Sequence, residues 1–276
     1  MDLLRDTETA EAPPDYVLRA GQVFTRFDVP TADSGNVSYG VTVGGERFFV
    51  KTPGEPSDTA FLAHSQRIAA LRNAADLASS CSHSALAPLR NVVESPSGPM
   101  LVFDWFAGDT LGGPEVVRAA PASAHQRFRR LEEVRIAKAL EHVFQLHAIL
   151  AASGWIAVDF YDGSLMYDFD RAQVRVVDLD LYRRAPFTNT MGRMFGSPRF
   201  MAPEEFERGA VIDQRTTVFA LRRCAAVFLG DGTRTRATFR GTDAQHDVVC
   251  RASHARPAER FETVAEFADA WTHARI

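Results

Sequence analysis

Lysine is nearly absent from this sequence. Of the 31 basic residues only Lys51 and Lys138 are lysine, and the others are arginine. Arginine carries a planar, permanently charged fork, whereas lysine carries a compact ammonium on a thin stem. In so arginine-rich a chain, a lysine indicates a position where arginine does not serve.

Cysteine, long apolar runs and a large net charge are also lacking. Three scattered cysteines form neither a disulfide framework nor a zinc spacing, so we expect reduced thiols and a cytoplasmic protein. No apolar run reaches the roughly 18 residues that span a bilayer, and residues 1–14 are acidic and polar, unlike a secretory signal. The net charge of −4 gives no support for nucleic-acid binding. We therefore expect neither a membrane nor a nucleic-acid partner.

The first part of the chain is strand-rich and the second part is helix-rich. Strands are predicted at 37–43 and 46–51 around Gly44-Gly45, with a helix at 58–80 and a strand pair at 86–93 and 100–106. One long helix is predicted at 124–153, then short strands at 164–167 and 174–179, an irregular segment at 181–203, and helices at 211–229 and 263–273. This order predicts an α+β fold of two lobes rather than one parallel sheet: a flexible arm at 1–15, a first lobe at 16–106 and a second lobe at 107–276.

Phosphoryl transfer requires bound phosphates, a placed metal ion and an oriented hydroxyl. Lys51 ends a predicted strand, where its ammonium suits a tight phosphate pocket, although a surface lysine is the ordinary interpretation. Asp159, Ser164 and Asp178 lie around the two short strands, where a base and a metal ligand are plausible roles. Each aspartate alone is more typical of a turn. Their occurrence together, downstream of Lys51, favours chemistry.

These residues, in this order, resemble the protein-kinase superfamily over residues 24–271. The resemblance rests on the residues already named and on four further segments: 101–108, 146–154, 196–204 (Gly-Ser-Pro-Arg-Phe-Met-Ala-Pro-Glu) and 256–261. It implies a two-lobed kinase-like fold, with an antiparallel sheet and a helix in the N-lobe and a mostly helical C-lobe.

The resemblance also implies roles for single residues. Asp159 matches the catalytic base, Asp178 the principal metal ligand and Lys51 the α/β-phosphate lysine. The remaining implied nucleotide contacts are Gly35 in the nucleotide loop, Val37, the gatekeeper Phe103, and the hinge residues Asp104 and Phe106. Glu204 is expected to form an ion pair with Arg260. The implied cofactors are ATP and Mg²⁺ or Mn²⁺.

The sequence departs from the family pattern at the nucleotide side. Pro30 and Ala32 stand where the nucleotide loop has glycines. The helix before the hinge has no glutamate to pair with Lys51, and Asn73 or Asp76 is a possible substitute.

It also departs around the predicted base. Residues 157–158 are Ala-Val in place of His-Arg, Tyr161 replaces a lysine and is a candidate for orienting the substrate, and Thr217 replaces a bracing aspartate. Ser164 replaces a metal-binding asparagine, with Asp162 a possible replacement ligand, and Asp180 adds a third carboxylate near the metal.

Three functions therefore stay open. The first is a kinase acting on Ser or Thr of a protein or peptide, favoured by the 196–204 segment with Arg260. The second is a small-molecule kinase for a metabolite, antibiotic or biosynthetic intermediate, favoured by Tyr161. The third is a nucleotide-binding or inactive pseudokinase scaffold, favoured by Ser164 and the missing glutamate.

Overall fold

The computed structural model describes residues 2–28, 35–56, 60 and 62–274. These divide into unit 1, which comprises Met1–Ser82 and Ala87–Ala107, and unit 2, which comprises His83–Leu86 and Gly108–Ile276. The expected α+β composition, with an antiparallel sheet first and helices later, is confirmed. Pro30, Ala32 and the predicted helix start at residue 58 lie outside the described residues.

Unit 1 is built on a five-stranded antiparallel sheet with the strand order β1-β2-β3-β5-β4. Gly44 and Gly45 adopt φ of 57° and 87°, as a two-residue hairpin turn requires, and they join β2 to β3. The elements of unit 1 are α1 (Pro13–Ala20), β1 (Gln22–Phe27), β2 (Val37–Val43), β3 (Glu46–Thr52), α2 (His64–Ser80), β4 (Leu89–Ser95) and β5 (Gly98–Asp104).

One face of this sheet is covered by the N-terminal residues. Leu3 is fully buried against the apolar face formed by strands β2, β3 and β5, and Asn91 Nδ2 donates to the carbonyls of Leu3 and Asp6 at 3.0 and 2.8 Å. Residues 2–15 thus pack on the sheet, where a flexible arm was expected. The polar composition of the segment does not predict this packing, because a few apolar side chains such as Leu3 and Tyr16 are enough to cover the face of the sheet.

Helix α2 packs on the opposite face, where Leu71 and Ala74 contact Leu101 of β5. The helix begins at His64, later than predicted. Ala63 lies at the N-cap, and its backbone N–H donates to the Gln66 side chain at 3.0 Å.

Unit 2 is mostly helical. Its elements are β6 (Asp109–Thr110), α3 (Glu115–Ala119), α4 (Ala124–Arg129), α5 (Glu133–Ala152), β7 (Trp155–Ile156), β8 (Leu165–Asp168), β9 (Gln173–Val176), β10 (Arg183–Arg184), β11 (Phe187–Thr188), β12 (Val211–Ile212), α6 (Gln214–Leu229), α7 (Asp243–Arg251) and α8 (Val264–Ala274). None of the helices in the described ranges is both long enough and apolar enough to cross a bilayer.

The prediction of one long helix at 124–153 is wrong, because the chain breaks between α4 and α5. Phe128 is buried, with its ring centroid 4.8 Å from that of Tyr167 and 4.9 Å from that of Phe228. Burial of this ring directs α4 away from the axis of α5, which local helix propensity does not reveal.

The predicted helix start at residue 211 is also wrong. Residues 211–212 form β12, which pairs with β11. Helix α6 begins only at Gln214, where the Asp213 side chain accepts from the Arg215 N–H at 2.9 Å as an N-cap.

Candidate functional site

A short hairpin in unit 2 brings the predicted base and the predicted metal ligand to one end. Strands β8 and β9 pair with Leu165 opposite Val176, and the Val177 N–H donates to the Ser164 carbonyl at 2.9 Å. Asp168 closes the far end, since its Oδ1 accepts from the N–H groups of residues 170 and 171 at 3.0 and 2.9 Å. The loop 159–164 and the residues that follow β9 therefore emerge side by side.

Asp159 and Asp178 share an unusual backbone conformation. Their φ angles are +57° and +62°, and apart from Ala172 no other non-glycine residue in the described ranges has a positive φ. This left-handed region is costly for most residues and is best tolerated by aspartate and asparagine. Such strain persists only where the surroundings enforce it, and it is concentrated at functional sites.

The hydroxyl of Tyr182 is influenced by both aspartates. Burial raises the pKa of Tyr182 well above its usual range, and the Cys224 thiol and the carboxylates of Asp178 and Asp159 add to the rise through their charge. Both carboxylates therefore lie within electrostatic range of the same buried hydroxyl.

Tyr182 is held by a buried histidine. His147 Nδ1 lies 2.7 Å from the Val143 carbonyl, which can only accept, so Nδ1 carries the proton. Burial lowers the pKa of His147 to about 4, so the ring is neutral and its Nε2 accepts from the Tyr182 hydroxyl at 2.8 Å.

Thr217, noted in the sequence as a replacement for a bracing aspartate, still contacts the loop. It is buried on α6, and its hydroxyl oxygen accepts from the Ala157 backbone N–H at 3.1 Å. A neutral hydroxyl thus fixes the start of the loop 157–164 in place of an aspartate.

Asp162, predicted as a possible metal ligand, is bound by an arginine side chain. Its side chain is only 1% exposed, and Arg199 Nη1 and Nη2 contact its two oxygens at 3.3 and 2.8 Å. His125 lies 3.7 Å away, but burial lowers the pKa of His125, so Arg199 is the counter-charge. A buried carboxylate with both oxygens bound by arginine links the loop to the 196–204 segment instead.

Ser164 is also engaged by the loop itself. Its hydroxyl donates to the Asp159 carbonyl at 3.4 Å and accepts from the Tyr161 N–H at 3.4 Å. Asp180 is buried, whereas Asp178 is exposed. In the part of the chain that the structure describes, no three His, Cys, Asp or Glu side chains form a metal-binding group.

The predicted ion pair between Glu204 and Arg260 is present. Arg260 Nη1 and Nη2 contact the two carboxylate oxygens at 2.7 and 2.9 Å, and the two side chains are 0% and 6% exposed. Arg260 also donates to the carbonyls of residues 215, 254 and 255. The pair therefore joins the 196–204 segment to the residues that precede helix α8.

Glu205 was missed by the sequence reasoning. It is 3% exposed, and it lines a small cavity together with Asp159 and Ser197. Burial raises the pKa of Glu205 to about 8, although a hydrogen bond from the Ala202 N–H opposes the rise. A second glutamate directly after Glu204 in an otherwise apolar stretch was the available signal.

Tyr161 is half-buried beside the predicted base. Its ring centroid is 6.4 Å from that of Phe200, and a Cβ on Gly163 would come within 2.3 Å of the Tyr161 ring. Any larger residue at position 163 would displace the Tyr161 ring, so the loop is packed closely around this ring.

In unit 1, Lys51 pairs with Ser38 and Leu101 across the middle of the sheet. Gly35 has a φ of +86°, and its carbonyl accepts from Arg67 on α2, whose other terminal nitrogen donates to the Glu55 carbonyl at 2.8 Å. Arg67 is fully buried, so the buried polar residue of α2 is a cation. The sequence had instead indicated Asn73 or Asp76 as a possible substitute for the missing glutamate.

The predicted nucleotide contacts Val37, Phe103 and Asp104 lie on β2 and β5, and Phe106 follows β5. Phe103 pairs with Phe49 across the ladder. The Asp104 N–H donates to the Pro88 carbonyl at 3.2 Å and the Trp105 N–H to the Arg47 carbonyl at 3.1 Å.

In comparisons with known proteins, no protein-family model and no curated protein matches this chain.

Proposed function

We propose that the chain is an ATP-dependent phosphotransferase that moves the γ-phosphoryl group of ATP to a hydroxyl acceptor, a Ser or Thr of a protein or peptide in the first instance. The observation that carries this proposal is the pair Asp159 and Asp178. Both hold a left-handed backbone, and both lie at the same end of the β8–β9 hairpin. The resemblance to protein kinases gives the pair its roles.

The roles follow from the chemistry of each group. Asp159 accepts the proton of the acceptor hydroxyl while the acceptor oxygen bonds to the γ-phosphorus and the bond from that phosphorus to the β-phosphate oxygen breaks, which leaves ADP. Lys51 supplies a compact positive charge to the phosphates.

Asp178 is the residue that would hold Mg²⁺ or Mn²⁺, which neutralises phosphate charge when bound. Mg²⁺ is usually held by one or two protein carboxylates, with phosphates and water completing the shell. A single exposed Asp178, with Asp180 two residues further on, fits that requirement without a three-carboxylate cluster.

A nucleotide-binding scaffold without turnover is the second candidate. It is favoured by the bonds of Asp162 and Ser164, because these bonds engage two of the four predicted metal ligands within the protein itself.

The test is a pair of variants, Asp159→Asn and Asp178→Asn, with Asp170→Asn as the matched control on the exposed β8–β9 turn. Asparagine tolerates the left-handed backbone as well as aspartate does, so any loss reports the carboxylate. Transfer from γ-labelled ATP is measured with Mg²⁺ or Mn²⁺, against generic protein acceptors and a panel of hydroxylated metabolites. Loss of a general base costs about 10²–10⁴-fold in rate.

Each outcome decides between the candidates. If Asp159→Asn transfers phosphate as fast as Asp170→Asn, Asp159 is not the base. If wild-type protein is stabilised by ATP, by about 2.7 kcal/mol at 100 times the dissociation constant, but no acceptor is modified, the scaffold is correct.

A further inference from the structure

Four aromatic side chains gather on one face of the unit 1 sheet: Phe24, Phe27, Phe49 and Trp105, which we call the aromatic platform. The Phe24 and Trp105 centroids are 4.9 Å apart, those of Phe27 and Phe49 6.2 Å, and those of Phe27 and Trp105 6.5 Å. Phe24 and Phe27 remain 39% and 37% exposed. Aromatic rings gathered on an exposed face are a common mark of a binding site.

The strand register places this platform on the face that carries Lys51. Phe27 pairs with Ser38, and Ser38 pairs with Lys51, so the three side chains project to the same side. Phe49 lies two residues before Lys51 and shares its face, about 7 Å away along the strand. The aromatic rings and the ammonium are therefore neighbours on one surface.

The backbone is adapted to the platform. A bulge between Val23 and Thr25 interrupts the β1–β2 register, and the ring of Phe24 lies over Gly40, where a Cβ would come within 2.6 Å of it. Gly40 pairs with Phe49, so Phe24 and Phe49 are on the same face. Glycine at residue 40 is thus required by the close approach of the ring.

Charge also matches a particular ligand. Arg47 lies two residues before Phe49 on β3 and stacks over Phe24 at 5.1 Å, so cationic side chains flank the platform along the strand. A ligand that complements this surface combines a planar ring with anionic groups that reach the cations. A purine nucleoside triphosphate has both.

We propose that the aromatic platform stacks on the purine ring of the bound nucleotide, with Lys51 at its phosphates, and that binding is tolerant of the base. This inference rests on the proposed function and extends it to the residues that hold the base. Stacking is available to every base because each has a π-face. The chain should therefore accept GTP as well as ATP.

Binding to the full chain tests this without any turnover. Dissociation constants are measured by calorimetry for ATP, GTP and inorganic tripolyphosphate, which lacks the base. Phe27→Leu and Phe49→Leu remove the π-face and keep the apolar volume, and Phe206→Leu is the control because Phe206 is an exposed phenylalanine of unit 2. Thermal unfolding checks that each variant is folded.

The expected results are specific. ATP and GTP bind within about fivefold of each other, and the two platform variants weaken both by about five- to thirtyfold while leaving tripolyphosphate and the Phe206→Leu control unchanged. Nucleotide also quenches tryptophan fluorescence through Trp105, because Trp155 and Trp271 are buried.

Two results separate this inference from the proposed function. If phosphate transfer occurs but the platform variants bind ATP normally, or if wild-type protein rejects GTP by more than about a hundredfold, the stacking proposal is overturned while the phosphotransferase stands. If both nucleotides bind through the platform and no acceptor is modified, the platform is supported and the phosphotransferase is refuted. The comparison of ATP with GTP on the wild-type protein still tests the stacking proposal if both variants fail to fold.

Discussion

Removal of the buried guanidinium at residue 260 should destabilise unit 2 more than any surface charge change. Glu204 is 6% exposed in the wild-type chain, and after Arg260→Met the Thr216 hydroxyl, at 2.8 Å, is the one side-chain donor left to it among the described residues. The carbonyls of residues 215, 254 and 255 lose a donor at the same time. The variant therefore creates one uncompensated buried carboxylate and several weakened backbone acceptors.

The expected loss follows from these contacts. Breaking a buried ion pair by removing one partner costs about 3–5 kcal/mol, out of a total stability of about 5–15 kcal/mol. For a unit of this size the loss corresponds to a fall of roughly 6–20 °C in Tm. The double variant Glu204→Leu/Arg260→Met should recover much of the loss, because it removes the buried charge as well as its partner.

The assay is urea unfolding followed by the fluorescence of Trp155 and Trp271, which are buried in unit 2. Arg256→Met is the matched control, since Arg256 forms a surface pair with Glu259 and its side chain is 82% exposed. Such pairs contribute about 0–1 kcal/mol. If Arg260→Met costs no more than Arg256→Met, the pair does not hold the unit together as we argue.

Two further changes test single groups. The pKa of Glu205 is about 8 in the folded chain and 4.5 for a free glutamate, so between these pH values the folded state binds one more proton than the unfolded state. The free energy of unfolding should therefore fall as pH rises from 5 to 8, by up to about 1.4 kcal/mol per pH unit. Glu205→Gln should flatten that slope in urea titrations at pH 5, 6.5 and 8, and parallel curves would contradict the assignment. Lys51→Arg keeps the charge but should weaken ATP binding at least about tenfold in calorimetry, whereas the exposed Lys138→Arg should not; equal affinities would show that any cation serves at residue 51.

Local patterns predicted the parts of the fold that local forces determine. The Gly44-Gly45 hairpin and its two strands follow from turn chemistry and β-propensity, and the structure pairs the two strands across that turn. The break between α4 and α5 could not be predicted in this way. It depends on the burial of Phe128 against rings that are distant in sequence, and helix propensity does not include such contacts.

The candidate site shows the same division. The Glu204–Arg260 pair spans 56 residues and was predicted only through the resemblance to protein kinases, because no pattern along the chain indicates it. The contacts of Arg67 and Arg199 were not predicted. Each depends on which carbonyl or carboxylate a distant loop presents, and a composition rich in arginine offers too many possible donors to choose among.

The arginine-rich composition itself has a structural reason. Arg223 donates through Nε to the Arg199 carbonyl and through Nη1 to the Gly232 carbonyl. Arg175 likewise joins two carbonyls, and Arg67 two more. A guanidinium has five donors in a fixed fork, so one side chain can bridge separate stretches of backbone, whereas a flexible ammonium cannot hold the same geometry. Arginine is thus the residue that links loops throughout this chain. Lys51 in the middle of the unit 1 sheet carries a compact charge on the same face as the aromatic platform, and such a charge suits the phosphates of a ligand.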